Sequence, residues 1–228
     1  MKIKLFQILS MVFVTIISTM VFANSTMVVA LPPSKISPVL YAAIKNEFSD
    51  SDKIYQVFNY VDTTGVYYCV LLENTLNAQN NHSVTVIDFK FNSGKFDKMW
   101  KMHDFARNGS ENGIWLWPEY MSFQDNGYGV IDPVVVYASG GDNAGNGRLN
   151  IIIYHGGMKV GVRSFLSDMD ESRYTLIDKS FYDLPSKTKN IVIKILNKIE
   201  SDDRATLPQG WKLGFNKNSI KIRDAETQ

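Results

Sequence analysis

The sequence predicts an α+β fold dominated by strands: antiparallel meander sheets with an N-terminal helix and one amphipathic C-terminal helix. Three observations carry that expectation. Apolar or alternating runs of strand length recur along the chain, separated by Asn-, Asp- and Gly-rich turn signals. A proline-led segment at 38–48 gathers Val39, Leu40, Ala43, Ile44 and Phe48 on one helical face, with Ser37 placed to cap it. A later segment, 188–200, repeats Ile191, Val192, Ile195, Leu196 and Ile199 on one face, with Lys187, Lys194 and Lys198 on the other as a solvated side.

Taken in order, Lys2 and Lys4 precede a mostly apolar run at 5–22 that is interrupted by Gln7, Ser10, Thr15, Ser18 and Thr19. Val21-Phe22-Ala23 has the small-x-small pattern of a signal-peptidase site, and Val28-Val29-Ala30 is a second candidate. Residues 1–23 therefore read as a cleavable signal peptide and 24–228 as a single β-rich domain. The run is short and polar-interrupted for a membrane span, so no stable insertion is expected after cleavage. The implied location is periplasmic.

Beyond a Pro/Ser-rich entry at 31–37 and the first helix, strands are expected at 53–61, 66–72, 84–91 and 96–105, with 74–82 as a polar connection. Further strands are expected at 120–123, 133–137, 149–154, 159–165 and 174–181. His155-Gly156-Gly157 is a tight hairpin candidate. After the long helix, 211–222 reads as a final strand or a packed tail.

Composition excludes several classes. Charge is nearly balanced, 24 Lys and Arg against 23 Asp and Glu, which gives no electrostatic reason to expect nucleic acid. The single cysteine, Cys69, cannot form an internal disulfide and sits in the apolar run 66–72, where it reads as a buried small hydrophobe. Catalytic signatures are missing: there is no HExxH, no GxSxG and no P-loop. His103 and Asp104 form the best acid/base candidate, but neighbours in a strand point to opposite faces. A zinc site would require His82, His103 and His155 to converge. Glu119, or Asp168 with Asp170, could supply paired carboxylates, yet no spacing selects a pair. No cofactor is expected.

Two stretches stand out as binding candidates. In 114–120, Trp115 and Trp117 share a face if the segment is extended; exposed, they would form a platform for sugar rings or an anchor for a protein, with Glu119 beside them. The small and polar residues at 139–147 form a long loop between strands, with Asp142, Asn143 and Asn146 as candidate contacts.

The segment 124–132, Gln124-Asp125-Asn126-Gly127-Tyr128-Gly129-Val130-Ile131-Asp132, resembles a degenerate FG-GAP or integrin-type loop. In that pattern alternate oxygen ligands converge on one hard cation and a final carboxylate closes the cage. Asn126, Gly129 and Asp132 match, and Asn126 and Asp132 are the weak metal candidates. Gln124 and Tyr128 depart from the pattern, which makes a turn held by hydrogen bonds the expectation. Over 120–165 the arrangement is similar to a family of exported bacterial proteins, some labelled surface polysaccharide biosynthesis proteins. The resemblance implies a β-rich fold and an envelope setting.

These features favour an exported, non-catalytic binding protein whose partner is another protein, with an immunity-type inhibitor of an envelope-targeting toxin as the specific form. The alternative is an envelope polysaccharide factor that binds or cleaves glycan. A third reading is a scaffold module of an envelope complex.

Overall fold

Two antiparallel sheets pack face to face, and each is covered on its outer side by helix. The computed structural model describes residues 27–48, 51–77, 80–107, 111–140, 147–167, 169 and 172–224. The first sheet runs β1 (Met27–Leu31), β2 (Asp52–Asp62), β3 (Gly65–Asn77), β4 (Asn80–Asn92) and β5 (Lys95–Phe105) in sequence order. The second holds β6 (Ile114–Leu116), β7 (Val134–Ser139), β8 (Gly147–His155), β9 (Met158–Leu166), β10 (Tyr174–Ile177) and β11 (Lys221–Arg223), also as neighbours in chain order. Both are meanders, as the run of strand and turn signals predicts.

Period-2 alternation sorts the core into layers. On β3, Val70 and Leu72 face outward to α1 (Pro38–Lys45), while Cys69 and Leu71 face the second sheet. Ser37 caps α1 by accepting a hydrogen bond from the Leu40 N–H at 3.2 Å, and Leu40 and Ile44 are its buried pair. On the far side, α2 (Ser186–Ser201) lays Ile191, Val192, Ile195, Leu196 and Ile199 over Val134, Val136, Ile151, Ile153, Val160 and Val162. Each such side chain contributes about 1.5–3 kcal/mol relative to exposure. Among the described residues, no helix is long and apolar enough to cross a membrane.

The Gly156-Gly157 hairpin forms between β8 and β9, with φ of 54° and 80°, the left-handed pair a two-residue turn demands. Elsewhere the sequence reading needs correction. Most of the polar stretch 74–82 is strand and not connection: β3 and β4 keep pairing from Asn74↔Ser83 to Asn77↔Asn80, over two register shifts. Backbone ladders need no apolar side chain, so the polar composition was misleading. Residues 120–123 make only an isolated bridge, Ser122 to Val134, because Pro118 opens a short 3-10 turn ending at Tyr120. The strand expected at 174–181 stops at Ile177 and gives way to a 3-10 turn, Lys179–Asp183. The tail holds both α3 (Trp211–Asn216) and β11; Trp211 and Phe215, four apart, enter the α2 core edge to face at 5.7 Å. Finally, Val28-Val29-Ala30 lies inside β1, which pairs with β2 from Met27↔Val61 to Leu31↔Val57. Residues 1–23 lie outside the described residues.

Candidate functional site

One end of the inter-sheet layer is polar. On β4, Val84, Val86 and Asp88 point toward the second sheet, while Ile87 and Phe89 alternate to the outer face; opposite them β5 carries one extra residue, Met99, between the partners of Asp88 and Phe89. Asp88 is paired across the ladder with Cys69 on one side and Trp100 on the other, and is 1% exposed. Its Oδ2 accepts a hydrogen bond from the Tyr60 hydroxyl at 2.9 Å. Its Oδ1 is buried and has no partner among the described residues. Burial pushes the Asp88 carboxyl up to about 7; the Tyr60 hydrogen bond opposes the rise and nearby Asp62 adds to it.

Aromatic rings wall this end. Tyr60 and Tyr67 stack with centroids 5.0 Å apart, and the Tyr67 hydroxyl reaches Thr64 Oγ1 at 2.6 Å. From the opposite sheet, Tyr154 lies flat on Trp100 at 3.7 Å and 6°, tying the two sheets together. The Tyr154 hydroxyl is buried and, like Asp88 Oδ1, has no partner among the described residues. These groups enclose a cleft of about 180 Å³.

The loop that resembles an FG-GAP segment forms the remaining wall. Asp62 Oδ1 accepts from the Thr64 N–H, the Thr64 hydroxyl and the Gly65 N–H, and its Oδ2 accepts from the Ile131 N–H at 3.0 Å. Thr63 donates its N–H and hydroxyl to the Gly129 carbonyl at 3.0 and 2.8 Å. Gly129 has φ +77°, and a Cβ there would stand 2.8 Å from the Thr63 methyl. Gly129→Ala is therefore expected to cost about 1–3 kcal/mol, read as a lowered urea midpoint. A variant as stable as the parent would refute this docking role.

The two metal candidates are committed to protein partners. Asp132 Oδ1 accepts from the Asn126 amide at 3.2 Å; its Oδ2 accepts from the Thr188 hydroxyl and pairs with His155 Nδ1, both at 2.9 Å. Asn126 Oδ1 accepts from the Tyr128 N–H. The loop is a turn held by hydrogen bonds, and this buried network links it to β8 and to the first turn of α2.

Trp115 and Trp117 do share a face, but it is the covered one. Ile114 and Leu116 enter the layer between the sheets, and both indoles point to the α2 side. Trp117 is 3% exposed, with the Arg204 guanidinium 4.8 Å from its ring centre and Tyr120 packed beside it. Trp115 is half-buried against the same core, and Glu119 is exposed. With one ring sealed, the pair offers no platform for a sugar. Asp142, Asn143 and Asn146 lie outside the described residues, as do Asp168 and Asp170.

His103 and Asp104 take opposite faces, as adjacent strand residues must. The His103 ring bonds Thr85 Oγ1 at 2.8 Å on the outer face, where it and His82 line an open groove of about 670 Å³. Asp104 turns inward to Tyr137 and Arg148. His155 belongs to the opposite sheet, so the three imidazoles do not converge. The groove is larger than the cleft, yet the cleft is lined by two buried groups without partners among the described residues, Asp88 Oδ1 and the Tyr154 hydroxyl. Cys69 is fully buried, and burial, then the Asp88 charge, push its thiol well above the ordinary range, which removes it as a nucleophile.

Compared with known protein families, with curated proteins and with solved structures, the chain finds no match in any of the three.

Proposed function

We propose that the protein is an exported binding protein that acts by contact and holds its ligand in the cleft between the sheets. One observation carries the reading: Asp88 Oδ1 and the Tyr154 hydroxyl, contributed by opposite sheets, are both buried without a partner beside the same aromatic-walled cavity. An unsatisfied buried polar atom costs about 1–3 kcal/mol, and a ligand that pairs both groups recovers that cost on binding. The chemistry of the cleft suits holding better than turnover. Its thiol is masked, and among the described residues His155, although oriented by Asp132, has no serine or cysteine hydrogen-bonded to it.

Export rests on the basic, apolar and small-x-small succession at 1–23. Cleavage after Ala23 leaves β1 whole; cleavage after Ala30 would remove all of it but Leu31. The periplasmic form is therefore expected to begin at Asn24, as read by N-terminal sequencing after fractionation.

The cleft assignment is tested by blocking it. Val130 lines the cleft and is half-buried, so Val130→Trp fills the space without replacing a core residue. In a thermal-shift screen of small polar metabolites, compounds that stabilise the parent are expected to lose their effect on the blocked variant. A screen in which every stabilising compound acts equally on both proteins would remove the cleft as the binding site.

A further inference from the structure

We infer that the ligand held in this cleft is a small organic ammonium ion, seated among the aromatic rings with an N–H directed at Asp88 Oδ1. The inference rests on the cleft being the ligand seat and adds the ligand's chemical class.

Charge is the first argument. Every ionisable carboxylate or cationic side chain lining the cleft is an acid: Asp62, Asp88 and Asp132. Basic side chains flank the cleft without lining it: Lys90 Nζ is 5.7 Å from the Tyr67 ring centre, Lys159 stands opposite Tyr154 in the β8–β9 ladder, and His155 is engaged with Asp132. An anionic ligand would meet like charge in a low-dielectric space, whereas a cation meets carboxylates and the negative faces of aromatic rings.

Hydrogen-bond capacity is the second argument. Asp62 and Asp132 spend both oxygens on protein donors, so Asp88 Oδ1 is the acceptor left over. The Tyr154 hydroxyl, also without a partner, can accept a second N–H. One carboxylate oxygen and one phenol are too few to satisfy the many hydroxyls of a sugar ring, but they suit a primary ammonium. Size agrees: about 180 Å³ is close to the ~150 Å³ cavity that takes one benzene ring.

A cation also resolves the cost of ionising Asp88. In the absence of a cation, burial holds this carboxyl up to about 7; ammonium binding requires the carboxylate. Affinity should therefore rise about tenfold between pH 6 and pH 8, a range over which an alkylammonium stays charged. The titratable and charged groups around the cleft are Tyr60 and Asp62 from β2, Tyr67 and Cys69 from β3, Lys90 from β4 itself, Asp132 from the loop, Tyr154 and His155 from β8, and Lys159 from β9. Tyr60, Cys69 and Tyr154 stay neutral through this range because burial raises all of them.

The experiment is calorimetric titration of the full-length mature protein with benzylamine and with its neutral counterpart, benzyl alcohol, at pH 6 and pH 8. The expected result is at least tenfold preference for the amine at pH 8, with the amine about tenfold weaker at pH 6. Asp88→Asn should cut amine affinity tenfold or more and remove the pH dependence. Equal binding of amine and alcohol overturns the ammonium inference and leaves the cleft as a ligand seat; so does a pH dependence that survives Asp88→Asn. Failure of both probes to bind the parent also overturns it, while the fate of the cleft itself is decided separately by Val130→Trp.

Discussion

Asp88→Asn is expected to make the folded protein more stable at pH 8 by about 2 kcal/mol, against the usual direction for a change at a 1% exposed position. The sign follows from linkage. Burial first, moderated by the Tyr60 hydrogen bond, raises this carboxyl from 3.8 to about 7 in the folded state. A group whose folded value is raised contributes its stability below the unfolded value and loses it as pH climbs to the folded value. Between about pH 4 and pH 7 the parent therefore surrenders stability that reaches about 4 kcal/mol, at 1.36 kcal/mol per unit. Asparagine cannot ionise and avoids that loss. Its amide N–H groups find no acceptor where Oδ1 stood, which returns about 1–3 kcal/mol. Urea unfolding of both proteins from pH 4 to pH 8 checks this: the advantage of the variant should grow with pH and level off above 7. An advantage constant across the range would mean that the carboxyl does not titrate in the folded state. A position where the native residue is worse for stability than its amide is one where some other demand sets the choice.

That demand was hard to read from the chain. Val84, Val86 and Asp88 alternate, so a charge on the buried face of a strand was in principle visible. Outward-facing Ile87 and Phe89 on either side of it hid it, because they make the run look apolar while pointing the other way. Tyr154 and Trp100 stack from different sheets, a pairing that no single-strand pattern can report. Period-2 logic correctly put Trp115 and Trp117 on one face and His103 and Asp104 on opposite faces. It could not say which face α2 would cover, since that depends on a contact made about eighty residues along the chain. The meanders and both main helices were legible because turn residues and apolar periods act locally. β1 was missed because its small apolar residues also resemble a cleavage site.

At the other end of the inter-sheet layer, roughly 20 Å along β8 from Tyr154, Arg148→Ala is expected to cost about 3–5 kcal/mol. The Arg148 guanidinium binds both oxygens of Glu111, at 2.6 and 2.9 Å, together with Asp104 at 3.2 Å and the Phe105 carbonyl at 3.1 Å. It thereby fixes the segment after β5 against β8. The Glu111 side chain is only 4% exposed, so removing the cation strands a buried carboxylate. Burial alone would raise Glu111; the hydrogen bonds from Arg148 and from the Arg107 N–H outweigh it and hold the carboxyl below its ordinary 4.5. That depressed value means the contribution is in place above pH 4.5 and is lost as pH falls through the folded value. In the variant the balance reverses, because burial now acts without the cation and Glu111 takes up a proton more readily. The deficit measured by urea unfolding should accordingly shrink from pH 7 toward pH 4. A combined Arg148→Met, Glu111→Gln change should recover most of the loss at neutral pH, since the buried Glu111 charge goes with its cation and Asp104 keeps its bonds from the Tyr137 hydroxyl and the Phe105 N–H. If the double variant is no more stable than Arg148→Ala, the guanidinium contributes through packing and its bond to Phe105, and the ion pair is not what closes this end of the layer.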